Sequence, residues 1–194
     1  AEATDTITVS YRIEARDIRT SGWDYTNPNS FITLQFWVYS NVGQTYYMRL
    51  RTQDGTSQRY IMSYTLSANT WTKVIKTIPG NSNIQFDDDV GQGLQINWKM
   101  FTGTDYTNYS ATYWGGGHAQ DGVITTAGAT WQITGVQLET GDTAGIYAHK
   151  SYRQSLEDCR RYLWVWSGGI SMHADRTTDA HNCGRVGQVF FPTT

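Results

Sequence analysis

The chain has 194 residues, a length that can bury about 70% of the extended surface in one sizeable core. Its residues are 39% hydrophobic, 14% aromatic and only 16% charged, which excludes a disordered or coiled-coil chain and favours a strand-rich fold. The net charge of -2 and the lack of any Lys or Arg run exclude a basic nucleic-acid-binding stripe, and no apolar stretch approaches the roughly 18 residues that a membrane span needs.

Alternating apolar and polar residues predict a strand in the first run, ITVSYRIEA. Its apolar face consists of Ile7, Val9, Tyr11 and Ile13, and we expect this face to lie in a core. The second run, FITLQFWVY at 31–39, carries bulk on both faces. The face opposite its purely apolar one contains Phe31, Thr33, Gln35, Trp37 and Tyr39. Such a strand is either central in a sandwich or turns its second face toward a groove, as in carbohydrate-binding modules, and for Trp37 we favour core packing.

Five further runs have the composition of strands and are separated by turns rich in Gly, Asn and Asp. They span 45–52, 59–66, 71–78, 93–101 and 131–139. The apolar residues of the last run change parity at Gly135, which predicts a β-bulge there. Several short strands with one convincing helix predict an all-β fold, an antiparallel β-sandwich of jelly-roll type.

The helix is predicted at about 151–162. Ser151 can act as its N-cap, and Gln154 three residues later completes a capping box. After it, residues 162–170 and 185–191 are predicted to form two returning strands. They extend the same sandwich or begin a second small sheet.

We expect one domain over 1–194, with its core at 5–140, and both ends are expected to be cuts from a longer polypeptide. The two cysteines cannot form a dense disulfide frame. Cys159 lies on the apolar face of the predicted helix, which favours packing as a small hydrophobe. A bridge between Cys159 and Cys183 stays open, because spacing alone cannot place the two sulfurs together.

Two aromatic loops are candidate glycan-binding sites. The long Gly-rich loop after the sixth strand combines ring-bearing and polar side chains, among them Tyr106, Tyr109, Tyr113, Trp114 and His118. Sugar C–H faces stack on aromatic rings, and sugar hydroxyls bond to polar groups. The alternative is that these rings pack back on the sheet or on a neighbouring subunit. Trp23 and Tyr25 form the second candidate, whose alternative is a loop that plugs one end of the sandwich.

Metal and catalytic signals are weak. The run Asp87–Asp89 lacks the spacing of an EF-hand loop and is expected to be a solvated turn. His173, Asp175, His181 and Cys183 lack the short ligand spacings of a zinc site. The sequence contains no GxSxG, HExxH or GxxxxGK[ST] motif, so we expect a protein that is not an enzyme and has no cofactor.

The stretch around the helix resembles a signature of virion proteins. It reads Ile133–Glu139 as ITGVQLE, then Gly141, His149–Tyr152, Leu156 and Cys159–Tyr162. This pattern is similar to that of domains in tail fibres and other virion proteins of bacteriophages and prophages, and SFITLQFWVYS is similar to their LTLSFWVKS strand. The chain departs from the pattern at Gly145–Ala148, where the family has Thr-Pro-Phe-Glu, and at Leu163, where a second Tyr is common. The lost Glu means that no ion pair or cation site of the family carries over at that position.

The resemblance implies a non-enzymatic virion structural protein, a domain of a tail fibre or other surface appendage that attaches to host glycans. It further implies assembly in the host cytoplasm, contact with other virion proteins and homo-oligomers. By analogy with similar jelly rolls, Glu139 is a candidate ligand for a structural calcium ion. A carbohydrate-binding module of a polysaccharide-active enzyme and a capsid decoration or head-fibre protein are the alternatives.

Overall fold

The computed structural model describes residues 4–103, 126–160 and 163, together with the backbone of 114 and 115. The chain divides into two compact units, Ala1–Tyr147 and Ala148–Thr194. A single domain over 1–194 stays a prediction.

The first unit is made of short strands with one short helix. In chain order its elements are β1 Thr6–Glu14, α1 Ala15–Thr20, β2 Phe31–Ser40, β3 Gln44–Thr52, β4 Arg59–Leu66, β5 Thr72–Pro79, β6 Gln92–Thr102, β7 Trp114–Gly115 and β8 Trp131–Thr140. All seven predicted strands of this unit are present, with boundaries within one residue of those expected. The two-residue β7 was not predicted.

The strands form two antiparallel sheets, which confirms the all-β sandwich. One sheet has five strands in the order β1-β6-β3-β4-β7, and the other has three in the order β5-β2-β8. The chain changes sheets repeatedly, as jelly-roll arrangements do. Phe36 of the smaller sheet lies edge-on to Trp98 and Tyr64 of the larger one, with ring centroids 5.8 and 5.5 Å apart. Aromatic pairs in this geometry hold two inner faces together beyond what area burial alone contributes.

The expectation that the apolar face of β1 lies in the core is wrong for most of its length. Val9 and Tyr11 stand opposite Trp98 and Ile96 of β6, so they share the inner face of the larger sheet. Nevertheless Tyr11 is 59% exposed, and Ile7 and Val9 are also exposed. The reason is sheet width. β1 is the edge strand of a five-stranded sheet that faces a three-stranded one among the described residues.

The helix α1 was not predicted, and tertiary contacts explain its presence. Its N-cap position, Glu14, makes no side-chain cap, and six residues are too few for a stable isolated helix. The backbone amides of Ala15 and Arg16 donate to the carbonyls of Gly91 and Asp89, which attaches the first turn of the helix to the residues just before β6. Ala15 and Ile18 are buried on one side, so packing stabilises the helix.

The predicted bulge at Gly135 is confirmed. The pairing of β8 with β2 shifts register between Gln35 and Trp37, and Gly135 has φ +59°. Glycine adopts this left-handed conformation without a Cβ penalty. The bulge brings Ile133 and Leu138 to the inner face although they differ in parity, which accounts for the phase change in the sequence.

In the second unit the described element is α2, Tyr152–Arg160. Its predicted start is confirmed, because the Ser151 hydroxyl oxygen accepts a hydrogen bond from the Gln154 amide at 3.3 Å. Cys159 is exposed, so the expected packing of this side chain as a small hydrophobe is wrong. The described residues do not include 161, 162 or 164–194. The two returning strands and a bridge between Cys159 and Cys183 therefore stay predictions. No helix in the described ranges has the length and apolar character needed to cross a membrane.

Candidate functional site

The predicted loop candidate at Trp23 and Tyr25 is part of the core edge. Trp23 is 3% exposed, and its indole N–H donates to the Ser30 carbonyl at 3.2 Å. Tyr25 lies edge-on to Phe86 with centroids 4.9 Å apart. Trp23 has no open ring face and cannot stack on a sugar, as expected of a loop that plugs the sandwich. Tyr25 is half-buried, and its role as a glycan contact stays a prediction.

The other loop candidates fall outside the described residues. This group consists of Tyr106, Tyr109, Tyr113 and His118. Only the backbone of Trp114 is described, and in β7 it pairs with Tyr60 of β4. Their role as glycan contacts stays a prediction.

The outer face of β2 is covered at Thr33 and Gln35 by the segment Gly141–Tyr147, here called the roof segment. It folds back immediately after β8. The Gly141 amide donates to the Phe31 carbonyl at 2.8 Å, and the Thr33 hydroxyl donates to the Gly141 carbonyl at 2.8 Å. From β5, the Thr77 hydroxyl donates to the Asp142 carbonyl at 3.2 Å. The roof segment is therefore attached to both β2 and β5.

Gln35 and Glu139 fix the middle of the roof segment. The Gln35 amide nitrogen donates to the Gly145 carbonyl at 2.8 Å and to Glu139 Oε1 at 3.2 Å. The same Oε1 accepts a hydrogen bond from the Gly145 amide at 2.8 Å. Gly145 suits this site because a Cβ there would lie 2.7 Å from Glu139 Oε2. These bonds explain how Gln35, on an outward face, is only 1% exposed.

Beyond the roof segment the outer face is open and aromatic. We call Trp37, Tyr39 and Trp71 the aromatic strip. Trp37 and Tyr39 point outward from β2 two residues apart, which is about 6.6 Å along a strand. Trp71 immediately precedes β5, and its ring centroid lies 5.6 Å from that of Tyr39. The Tyr39 hydroxyl donates to Asn69 Oδ1 at 3.1 Å, which holds this ring in place.

The preference for core packing of Trp37 is wrong. Its side chain is 44% exposed, because the outer face at this position lies beyond the end of the roof segment. The bulge glycine Gly135 supports it from the side. A Cβ at Gly135 would lie 3.4 Å from Trp37 Cδ1 and 4.0 Å from Tyr147 Cδ2, so both rings flank the glycine backbone. Tyr147, the last residue of the roof segment, thus stands at the boundary between the covered and open halves.

Polar side chains flank the aromatic strip. Lys73 of β5 and Thr134 of β8 lie on either side of Trp37 in the sheet register, and Gln132 lies opposite Tyr39. All three are exposed. The rings can stack on the apolar face of a ligand, and the donors and acceptors at their margins can bond to its polar groups. Such a surface suits an amphipathic ligand such as a saccharide.

The outer face of the five-stranded sheet carries a second unusual group, here called the cationic cluster. It consists of Arg49 and Arg51 of β3, Arg59 of β4 and Lys99 of β6. Arg51 is opposite Arg59, and Arg49 stands between Ile61 and Asn97. The pKa of Arg49 is lowered to about 10, mainly by burial and to a smaller extent by repulsion from Arg59 and Arg51. The pKa of Lys99 is lowered to about 8, mainly by burial and to a smaller extent by repulsion from the three arginines.

The Glu139 carboxylate, the candidate calcium ligand, accepts hydrogen bonds within the first unit. Its Oε1 accepts hydrogen bonds from two N–H donors, whereas a hard cation requires several further oxygen ligands. Across the described ranges no three His, Cys, Asp or Glu side chains group in a way that could hold a metal ion. The calcium ion stays a prediction. Asp87–Asp89 form an exposed turn as expected, in which Asp88 pairs with Arg16 at 3.1 Å.

Sequence reasoning came close to the aromatic strip and missed the cationic cluster. The bulky second face of the run at 31–39 was the signal for Trp37 and Tyr39, but Trp71 carried no signal of its own. The cluster arises because alternate positions 49 and 51 point the same way and pair with residues far along the chain. A scan for contiguous basic runs cannot detect it.

No protein-family model matches the chain, and no curated protein matches it. The chain is similar to a solved structure titled "Family 16 Carbohydrate Binding Module-2", with 8% identity, a TM-score of 0.32, and coverage of 71% of this chain and 72% of that chain.

Proposed function

We propose that this chain is a non-enzymatic binding domain that contacts saccharides through the aromatic strip, and that it serves in a surface appendage of a bacteriophage virion. The observation that carries the binding proposal is the exposure of Trp37 and Trp71 on one sheet face, together with the half-buried ring of Tyr39. The virion part rests on the resemblance of 133–162 to tail-fibre proteins.

The position of the strip on regular strands supports a binding role. Trp37 and Tyr39 belong to β2, the central strand of its sheet, which pairs on both sides. A platform of this kind is rigid before a ligand arrives, so little conformational entropy is lost on binding. Exposed aromatic patches on a domain surface mark interaction sites more often than scattered apolar residues do.

The polar margin favours a sugar over a purely apolar partner. Lys73, Gln132 and Thr134 place an ammonium, an amide and a hydroxyl beside the rings. Sugar hydroxyls can exchange hydrogen bonds with these groups while a C–H face rests on Trp37. A flat site of three rings is expected to bind weakly. Repetition on a homo-oligomeric appendage would raise the overall avidity by orders of magnitude.

A carbohydrate-binding module of a polysaccharide-active enzyme is the second candidate, since the same aromatic strip would serve it. The sequence that flanks the chain in its parent polypeptide separates the two. Fibre repeats or a virion-attachment domain support the appendage, and a catalytic domain supports the module.

A glycan array tests the binding proposal. The chain, made tetravalent on streptavidin, is compared with the double variant Trp37→Ala, Trp71→Ala and with Tyr11→Ala. Tyr11 is a matched control because it is an exposed ring on the other sheet. We expect binding by the native chain and by Tyr11→Ala, and loss of binding by the double variant. The proposal fails if no glycan binds the tetravalent form or if the double variant binds as well as the native chain.

A further inference from the structure

The cationic cluster lies among four paired strand segments that contain no acidic residue. These segments are 8–12, 47–51, 59–63 and 95–99, which pair side by side in the five-stranded sheet. Within them Arg49 is 8% exposed and Lys99 is 5% exposed. Lys99 donates to the Thr8 hydroxyl at 3.2 Å and Arg51 donates to the Ser57 hydroxyl at 3.0 Å, both neutral acceptors. The positive charge is therefore concentrated and is not neutralised by these four segments.

Two buried donors, one on Arg49 of the cluster and one on the neighbouring Asn97, have no hydrogen-bond partner within the described ranges. They are Nε of Arg49 and Nδ2 of Asn97, whose residues stand directly opposite each other on β3 and β6. Asn97 is 2% exposed, and its Oδ1 accepts a hydrogen bond from the Ser10 hydroxyl at 2.8 Å. A buried guanidinium without an acceptor is strongly unfavourable, so native proteins rarely keep one without a compensating group. A group that completes this site would be an acceptor, and a negative one would suit it best.

We infer that the cationic cluster binds a single oxyanion, either the carboxylate or sulfate of an acidic saccharide or the free inorganic ion, through the donors of Arg49 and Asn97. A guanidinium and an adjacent amide present N–H groups in a geometry that planar and tetrahedral oxyanions both accept. Arg51, Arg59 and Lys99 add charge around this point. The cluster is compact and buried, which suits one anionic group and does not suit the repeated phosphates of a nucleic acid.

This inference is independent of the proposed function, because the cluster and the aromatic strip lie on outer faces of different sheets. A chain can therefore bind an oxyanion at Arg49 whether or not Trp37 contacts sugar.

Thermal unfolding and isothermal titration calorimetry of the whole chain test the inference. The probes are sodium sulfate, sodium glucuronate and neutral glucose, all at ionic strength matched with sodium chloride. The variants are Arg49→Met and Lys99→Met, which remove a charge and keep an unbranched chain. The control is Arg19→Met, which changes net charge equally at an exposed position of α1.

We expect sulfate and glucuronate, but not glucose, to raise the melting temperature of the native chain and of Arg19→Met in a saturable way. Both cluster variants should bind the anions at least about tenfold more weakly. Without anion, Arg49→Met should melt roughly 3 °C higher than the native chain, because it removes a buried charge. Tighter binding of glucuronate than of sulfate identifies an acidic saccharide as the source, and the reverse identifies the inorganic ion.

The inference is overturned if neither anion shifts the native melting temperature beyond sodium chloride. It is also overturned if Arg49→Met melts lower than the native chain and binds the anions equally well. In that case an acceptor of the chain itself neutralises Arg49.

Discussion

Replacing Gln35 with Met should detach the middle of the roof segment. The two side chains have similar length, so the change removes the amide and leaves the volume nearly unchanged. Gln35 is buried and donates to Gly145 at 2.8 Å and to the Glu139 carboxylate at 3.2 Å. A neutral hydrogen bond contributes about 1 kcal/mol and one to a charged group about 2 kcal/mol, so the free energy of unfolding should fall by roughly 3 kcal/mol. For a chain of this size that is a fall of about 6–12 °C in melting temperature.

Urea unfolding measures the free energy change, and Gln132→Met is the matched control on the same sheet face. Gln132 is exposed, so its substitution should change the free energy of unfolding by less than about 0.5 kcal/mol. Hydrogen exchange adds a local readout. The Gly145 amide donates to Glu139 and should be protected in the native chain and exchange faster in Gln35→Met. A loss below about 0.5 kcal/mol for Gln35→Met, or an unprotected Gly145 amide in the native chain, would refute the account of the roof segment.

Three further predictions concern the bulge, the aromatic strip and the cationic cluster. Gly135→Ala should lower the free energy of unfolding by about 1–2 kcal/mol in urea titrations, because alanine is strained at φ +59°. Gly135→Asn should lower the free energy of unfolding by less, since Asn tolerates that region. Roughly 110 Å² of the Trp37 side chain is open to solvent. If a sugar covers half of this area, Trp37→Ala should raise the Kd for that sugar about tenfold in calorimetry, at about 25 cal/mol per Å². An unchanged Kd would exclude the Trp37 ring from the site. Burial holds the pKa of Lys99 near 8 in the folded chain, below its ordinary value near 10.5, so the unfolded chain binds more protons between these values. Stability should therefore rise with pH from 8 to about 9.5, by about 1 kcal/mol per unit from Lys99. Thermal melts at a series of pH values should show a smaller rise in Lys99→Met, in which the half-buried Lys76 still contributes with the same sign.

Strand positions follow from sequence here because alternation and turn residues are local signals. The run at 131–139 illustrates this well. Its parity change at Gly135 predicted a bulge, and the glycine does adopt the left-handed conformation at a register shift. The helix start at Ser151 is equally local, since a capping hydroxyl and its target amide are three residues apart.

The burial of each face could not be predicted from the sequence in the same way. The alternation in β1 is regular, yet Val9 and Tyr11 remain exposed, because the width of the facing sheet is decided by distant strands. The outer face of β2 shows the same difficulty. Gln35 is buried and Trp37 is open although they are two residues apart on one face, because the roof segment ends between them.

Assignment of the indole N–H signals by NMR, with and without a saccharide that binds, tests the central claim most directly. Trp→Phe variants identify each signal. The account predicts that the signals of Trp37 and Trp71 shift in a saturable way, and that those of the buried Trp23 and Trp98 do not. A ligand that leaves Trp37 and Trp71 unchanged while it shifts other signals would contradict the claim that the aromatic strip is the binding surface.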